Sequence, residues 1–298
     1  MGCDTHRIAA PSKIVYVEGM NDAFVGNDVS VLGLGLIGSI YARHLYEAGR
    51  LVASWNRTPR PDTPVPVATA RAAAELASTV IIVVADPPAV AHVLTDIAPA
   101  LTDRHLIIQC STIGPSDSTL FRSLVTATGA GYLEAPFTGS KPAAENKKTV
   151  FYLGGDAATM RRAEPVLSLI SASRLPCGTG EQACAIKLAM NLQIAAQAEA
   201  LCEALLIARR AGISDDTFFT CMKGNASWSG LAALKEPKLR AGDYAPQFSV
   251  KHLLKDLRLL ENNTESTPAL RLLIERLELA DQTGHRDQDF ISLYQSLT

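Results

Sequence analysis

The sequence predicts a doubly wound parallel α/β sheet followed by an all-α C-terminal domain, the two joined by one long helix. Three observations carry this. Short apolar strands alternate with helices from Val29 to about Pro176, and a glycine-spaced turn links the first strand to the first helix. Strand signals then cease after Gly180. The expected division is an N-terminal extension over 1–28, the α/β sheet domain over 29–177 and an all-helical domain over 178–298.

Each element has its own signal. Val29-Ser30-Val31-Leu32 reads as a buried strand, and the helix Ser39 to Ala48 after it stops at Gly49. Leu51 to Trp55 is a second strand, followed by a helix around Ala68 to Ala77. The apolar run Thr79 to Ala85 supplies a third strand, which ends at Asp86-Pro87-Pro88 and feeds a helix over Ala89 to Ile97. Leu106 to Gln109 and Gly131 to Glu134 are two more strands, separated by a helix from Pro115 to about Ala127. Thr149 to Leu153 reads as an edge strand, Ala157 to Leu169 as a helix, and Arg174-Leu175 as a further short edge strand. The long helix runs from about Gly180 to Ala211, roughly 45 Å at 1.5 Å per residue. Before Val29 only Lys13 to Val17 hints at a strand.

Composition narrows the function. A chain with 47% hydrophobic and 19% charged residues has enough apolar content for a sizeable core. A formal charge of -2 gives no reason to expect nucleic acid or an anionic membrane as partner. No apolar run approaches the ~20 residues that span a bilayer, and the first thirty residues lack an apolar signal core. The six cysteines form no C-x-x-C pair and the six histidines show no metal spacing. Reduced thiols, a cytoplasmic location and no metal are the expectations.

Gly33, Gly35 and Gly38 have the G-x-G-x-x-G spacing of a Rossmann-type turn. The first glycine permits the tight turn, the second lets backbone approach a pyrophosphate, and the third allows helix to pack on strand. An NAD site usually ends the second strand with an acid that holds the ribose 2′-hydroxyl. Here that end reads Asn56-Arg57-Thr58-Pro59-Arg60, where Arg57 can pair with a 2′-phosphate, so NADP is favoured over NAD. Thr112, after the fourth strand, falls at the carboxyl edge where ligands bind in such sheets.

Lys187 and Asn191 lie four apart at the start of the long helix and share a face. A helical lysine is normally solvated, but this stripe continues through Ile194, Ala198 and Leu205, flanked by Leu188, Met190 and Leu192. Polar groups that intrude on a buried surface need a partner or a function. The small-residue segment Ala135-Pro136-Phe137-Thr138-Gly139-Ser140-Lys141 follows a strand and offers backbone N–H groups to a carboxylate, or is simply a loop.

With these motifs in order, the chain from Val29 onward resembles the β-hydroxyacid dehydrogenases, in particular the glyoxylate and succinic semialdehyde reductase branch. The resemblance rests on the glycine turn, Asn56-Arg57-Thr58, Ser111-Thr112, Glu134 to Lys141 and Gly178 to Asn191. It continues in Asp243-Tyr244-Ala245-Pro246-Gln247-Phe248 and in Lys251-His252 leading to Lys255-Asp256-Leu257. It implies Lys187 as the catalytic lysine, Thr138, Gly139 and Ser140 on the substrate carboxylate, and Asn191, Phe248 and Asp256 around the substrate. It implies cofactor contacts from Gly33, Gly35, Leu36, Ile37, Gly38, Asn56, Arg57, Thr58, Ala85, Thr112 and Lys255, and a homodimer or homotetramer. The chain departs from the family at Phe137 and Thr138, whose bulk is expected to narrow the pocket, and at Cys184, where the family has a small residue without a thiol.

The implied chemistry is NADPH-dependent reduction of a small aldehyde or keto acid. A lysine starts near pKa ~10.4, and burial lowers it toward the range where a proton is released at neutral pH. Two rivals stand beside this reading. An imine reductase shares the architecture but usually lacks the lysine, and an NADP-binding interaction protein would keep the fold without catalysis. The lack of any Tyr-x-x-x-Lys pair argues against a short-chain dehydrogenase.

Overall fold

The computed structural model describes residues 28–60 and 62–297. The strand expected at Lys13–Val17, and the extension around it, lie outside the described residues.

Five strands form the central sheet: β1 (Val29–Leu32), β2 (Leu51–Trp55), β3 (Thr79–Ile82), β4 (Leu106–Gln109) and β5 (Gly131–Glu134). Their order is β2-β1-β3-β4-β5 and every pairing is parallel. Strands β1, β3 and β4 are buried along their whole length, which is why they read as continuous apolar runs rather than alternating ones. The chain moves one way from β1 to β2 and the other way from β1 to β3. This places a ligand crevice at their carboxyl ends, where the glycine turn emerges.

Helices cover the sheet: α1 (Gly38–Glu47), α2 (Ala70–Leu76), α3 (Pro87–Ile97) and α4 (Pro115–Thr126). Their starts follow local chemistry. Thr69 accepts from the Ala72 N–H and Asp86 from the Ala89 N–H, each satisfying a donor that a first turn leaves unpaired. Prolines at the first turns of α3 and α4 forfeit no helical hydrogen bond.

The expectation of a single sheet with Thr149–Leu153 on its edge is corrected. A second, three-stranded sheet consists of β6 (Phe137–Thr138), β7 (Val150–Leu153) and β8 (Ser173–Pro176), with β7 in its centre. β6 pairs antiparallel to β7, while β8 pairs parallel. Two residues carry no readable period, so β6 looks like loop in the sequence. The five-residue helix α5 (Lys141–Glu145) is hidden there for the same reason. After β7 comes α6 (Ala157–Leu167), which is shorter than the sequence implied.

Helix α7 (Gly180–Arg210) is the long helix. A reciprocal capping box opens it: Thr179 Oγ1 accepts from the Gln182 N–H, and Gln182 Oε1 accepts from the Thr179 N–H. Its first turns lie on the sheet domain's helix α4, and its later turns form the core of the helical part. That part adds α8 (Asp215–Lys223), α9 (Gly230–Ala241), α10 (Val250–Asn263) and α11 (Pro268–Ala280). The chain closes with a 3-10 segment, Phe290–Leu297, packed on α7. A fully buried ion pair, Lys235 to Asp289 at 2.7 Å, ties α9 to the residue that precedes this last segment. No helix among the described residues is long and apolar enough to cross a membrane.

Candidate active site

The site assembles where the two parts meet. At its sheet end, Gly33 adopts φ +100, and a Cβ there would fall 2.1 Å from the Val83 carbonyl oxygen. A Cβ on Gly38 would fall 1.9 Å from the Gly33 carbonyl oxygen. These two glycines are required by backbone packed on backbone. Gly35 differs: nothing lies within 4 Å of its missing Cβ, so it leaves open space at the mouth of the crevice. A turn with two glycines closed against protein and the middle one open fits a bound pyrophosphate.

Asn56 buttresses this turn, accepting from the Leu34 N–H at 2.9 Å and donating to the Thr58 carbonyl at 2.7 Å. Arg57 and Thr58 are exposed, and Arg57 takes no ion-pair partner among the described residues, so its guanidinium remains available to an anion. Leu36 is 49% exposed on the same turn, Ile37 is partly buried, and Ala85 is exposed just past β3.

At the helical end, Lys187 is buried on α7 with 8% of its surface exposed. Its Nζ donates to Asn191 Oδ1 at 3.0 Å, and Asn191 Nδ2 donates to Asp256 Oδ2 at 2.6 Å. Asp256 also pairs with Lys255 Nζ at 2.8 Å, and that amine donates to the Thr112 carbonyl at 3.0 Å. One chain of contacts thus runs from the proposed proton donor, through α10, to the turn after β4. Burial pushes the Lys187 amine down to about 8, although the Asp256 carboxylate opposes this; Lys255 pushes in the same direction as burial. The amine spends one of its three donors on Asn191, and among the described residues Asp256 Oδ1 accepts no hydrogen bond beyond its ion pair with Lys255. Spare buried donors and acceptors of this kind suit a polar ligand.

Among the described residues, no hydrogen bond joins the other expected residues to this chain. Thr138, Gly139 and Ser140 follow β5, whose carboxyl end lies beside that of β4. Gly139 has φ +127, and Ser140 leaves its side chain free of any capping bond. Phe248 packs edge-on against Phe290, ring centres 6.0 Å apart, just before α10 begins. Phe137 does not narrow the pocket as expected, because its ring joins Tyr41 and Phe151 between α1 and the second sheet. Met190, expected on the buried flank, is 39% exposed, because the packed face runs through Ala183, Cys184, Lys187, Leu188 and Asn191.

The sequence reading misses the part that one group plays. Glu134 is fully buried and accepts from Gln109 Nε2 at 2.8 Å, Ser118 Oγ at 2.7 Å and the Tyr132 hydroxyl at 2.8 Å. Burial pushes its carboxyl up to about 7 even with these three donors. The Gln109 amide clasps the next turn, accepting the Ser111 N–H at 2.6 Å and donating to the Ser111 carbonyl at 2.9 Å. Ser111 Oγ in turn accepts the Val84 N–H at 2.8 Å. The network therefore holds the turns after β3 and β4 in place. Its only signal in the sequence is an acid and an amide, each closing an apolar strand. Cys184 lies in this core, where burial raises its thiol well above the ordinary range and leaves it unreactive.

Comparison with known proteins bears on the family and the fold. Residues 28–185 match the model for the NAD-binding domain of 6-phosphogluconate dehydrogenase. Residues 180–297 match that for the NAD-binding region of NADP-dependent 3-hydroxyisobutyrate dehydrogenase. An uncharacterized oxidoreductase of Synechocystis is 34% identical over 80% of this chain and 87% of its own. The chloroplastic glyoxylate/succinic semialdehyde reductase 2 of Arabidopsis thaliana is 27% identical over 90% of this chain and 79% of its own. The solved 3-hydroxyisobutyrate dehydrogenase of Mycobacterium tuberculosis with L-serine superposes with a TM-score of 0.83 at 25% identity, covering 91% of this chain and 98% of that one.

Proposed function

The chain belongs to the β-hydroxyacid dehydrogenase family, whose members are NAD(P)-dependent oxidoreductases, and on that premise we propose that it reduces a small carboxylate-bearing aldehyde or keto acid with NADPH. The substrate is of the glyoxylate or succinic semialdehyde type, and Lys187 is the proton donor. The observation that carries this is the buried Lys187 amine, poised at about 8 and using one donor, to Asn191, among the described residues.

The nicotinamide, when bound, supplies a hydride to the carbonyl carbon. The rest falls to the chain's own residues. Negative charge gathers on the carbonyl oxygen as it is reduced, and the Lys187 ammonium stabilises that charge and yields its proton. Asn191 fixes the amine's direction from below, and Asp256 holds Asn191, so the ammonium reaches the reaction already oriented. Thr138, Gly139 and Ser140 anchor the substrate carboxylate. Gly33, Gly35 and Gly38 seat the pyrophosphate, and Arg57 reads the 2′-phosphate. Phe248 and Asp256 close the pocket from the helical side, and Lys255 reaches the cofactor. Residues 29–177 act as the cofactor domain, and 178–298 as the helical domain that completes the pocket and pairs with a second copy.

The test is NADPH oxidation with a panel of aldehyde acids and imines, each repeated with NADH, on the wild type and Lys187→Ala. The expected result is turnover of a short aldehyde acid that falls about a thousandfold or more in the variant while NADPH binding is retained. Near-wild-type reduction by Lys187→Ala overturns the assignment. Turnover of imines alone points to the reductase rival, and no turnover by the wild type points to an interaction protein.

A further inference from the structure

We infer that Gly114 and Asn263 form a spacing contact that sets where α10 delivers Lys255 and Asp256, which makes Asn263 a positioning residue for the reaction proposed above. Asn263 is the last residue of α10 and lies seven residues beyond Asp256. Two helical turns separate them, so they share a face roughly 10 Å apart. At this end of the helix the Asn263 amide is fixed from both sides. Its Nδ2 donates to the Leu259 carbonyl at 2.8 Å. Its Oδ1 accepts from Ser116 Oγ at 3.0 Å and from the Ser116 N–H at 3.3 Å, at the first turn of α4.

The amide rests directly on Gly114. A Cβ built on Gly114 would lie 2.5 Å from Asn263 Nδ2 and 3.1 Å from its Cγ. Gly114 has φ −84 and ψ 161, a conformation open to any residue. Glycine is therefore not there for its backbone freedom. What fills the space of a side chain there is the Asn263 amide at the end of α10. Two residues earlier, the Thr112 carbonyl receives Lys255 Nζ. α10 thus touches the 112–116 segment twice, once through Lys255 in the cleft and once through Asn263 outside it. Because Ser116 and the Leu259 carbonyl hold that amide on both sides, a methyl group on residue 114 is expected to shift the end of α10, and the inner contact with it. This inference rests on the proposed role of Lys255 and Asp256, but the spacing itself can be read without turnover.

The experiment is a double-mutant cycle of Gly114→Ala and Asn263→Ala, with Asn262→Ala, an exposed neighbour, as control. Direct NADPH binding is measured by fluorescence, alongside kcat and KM for cofactor and aldehyde acid, below each variant's melting temperature. Gly114→Ala is expected to weaken NADPH binding about threefold or more and to lower kcat/KM for NADPH about tenfold. The pair is expected to be no worse than Gly114→Ala alone, because truncating the Asn263 side chain vacates the space that a methyl group on residue 114 needs. Asn262→Ala is expected to match the wild type. A Gly114→Ala enzyme indistinguishable from wild type overturns the inference, as do effects that multiply in the pair or an equal loss in Asn262→Ala. If the wild type binds NADPH but reduces no aldehyde acid, the functional reading fails, whereas the binding cycle still decides the spacing.

Discussion

Replacing Asp256 with asparagine should lower the pH at which reduction shuts off. The carboxylate supports the Lys187 ammonium across one intervening amide, through hydrogen bonds of 3.0 and 2.6 Å. Two such bonds in series put the charges on the order of 6 Å apart, and at an effective dielectric of ~20 their attraction is ~3 kcal/mol. Because ~1.4 kcal/mol corresponds to one pH unit, and solvent in the cleft weakens the attraction, the loss amounts to about one to two pH units. Lys255, deprived of its 2.8 Å partner, would add to the effect in the same direction. The amine must be protonated to act, so activity disappears as pH rises through its pKa. The wild type, with Lys187 at about 8, should retain kcat/KM at pH 7 and lose it above pH 8. The Asp256→Asn enzyme should already be losing it at about one to two pH units lower. The assay is kcat/KM for glyoxylate at saturating NADPH from about pH 5.5 to about pH 9.5, a span that brackets both limbs. An alkaline limb that stays in place in the variant would refute the proposal that this carboxylate tunes Lys187.

Other expectations follow from the same geometry. Glu134 sits at about 7 against 4.5 for a free side chain, so the folded protein holds this proton more tightly than the unfolded chain does. Its contribution to stability is present below pH 4.5 and is lost as pH rises to 7, on the order of 3 kcal/mol in all. Glu134→Gln should flatten that part of the melting-temperature profile, and parallel curves for the two proteins would rule it out. Arg57→Ala should cut the preference for NADPH over NADH about tenfold or more, measured as a ratio of kcat/KM values; an unchanged ratio would remove Arg57 from the cofactor site. Lys235→Met strands the buried Asp289 carboxylate and should cost about 3–5 kcal/mol in urea unfolding, and a loss below about 1 kcal/mol would contradict a closed ion pair there.

The legible parts of the molecule are those where chemistry repeats along the chain or at fixed spacing. The parallel sheet follows from apolar strands separated by helices, and α7 from its unbroken pattern and its capping residues. Lys187 and Asn191 stand out because two polar groups interrupt an apolar stripe, and they do lie together in a buried place. What could not be read depends on residues far apart in sequence. Nothing local says that Glu134 meets Ser118 and Gln109, or that Asn263 meets Ser116, because sheet order and helix packing bring them together. Phe137 misleads for a related reason: its place in a segment that the family resemblance assigns to the substrate hides the aromatic cluster that takes its ring.

Helix α7 has a consequence for recombining this protein with its relatives. Its N-terminal Gly180 presses on Ser118 and Glu134, so close that a Cβ there would reach within 2.6 Å of the Ser118 hydroxyl. Its farther turns carry Ala195, Ala198, Leu201 and Leu205 into the other core. A crossover made just ahead of this helix would lay a foreign rod on a buried carboxylate, and one made within it would break the span that holds the amine. Pocket specificity is therefore better transplanted side chain by side chain, or by exchanging α10 together with the Gly114 turn it rests upon, than by swapping whole halves.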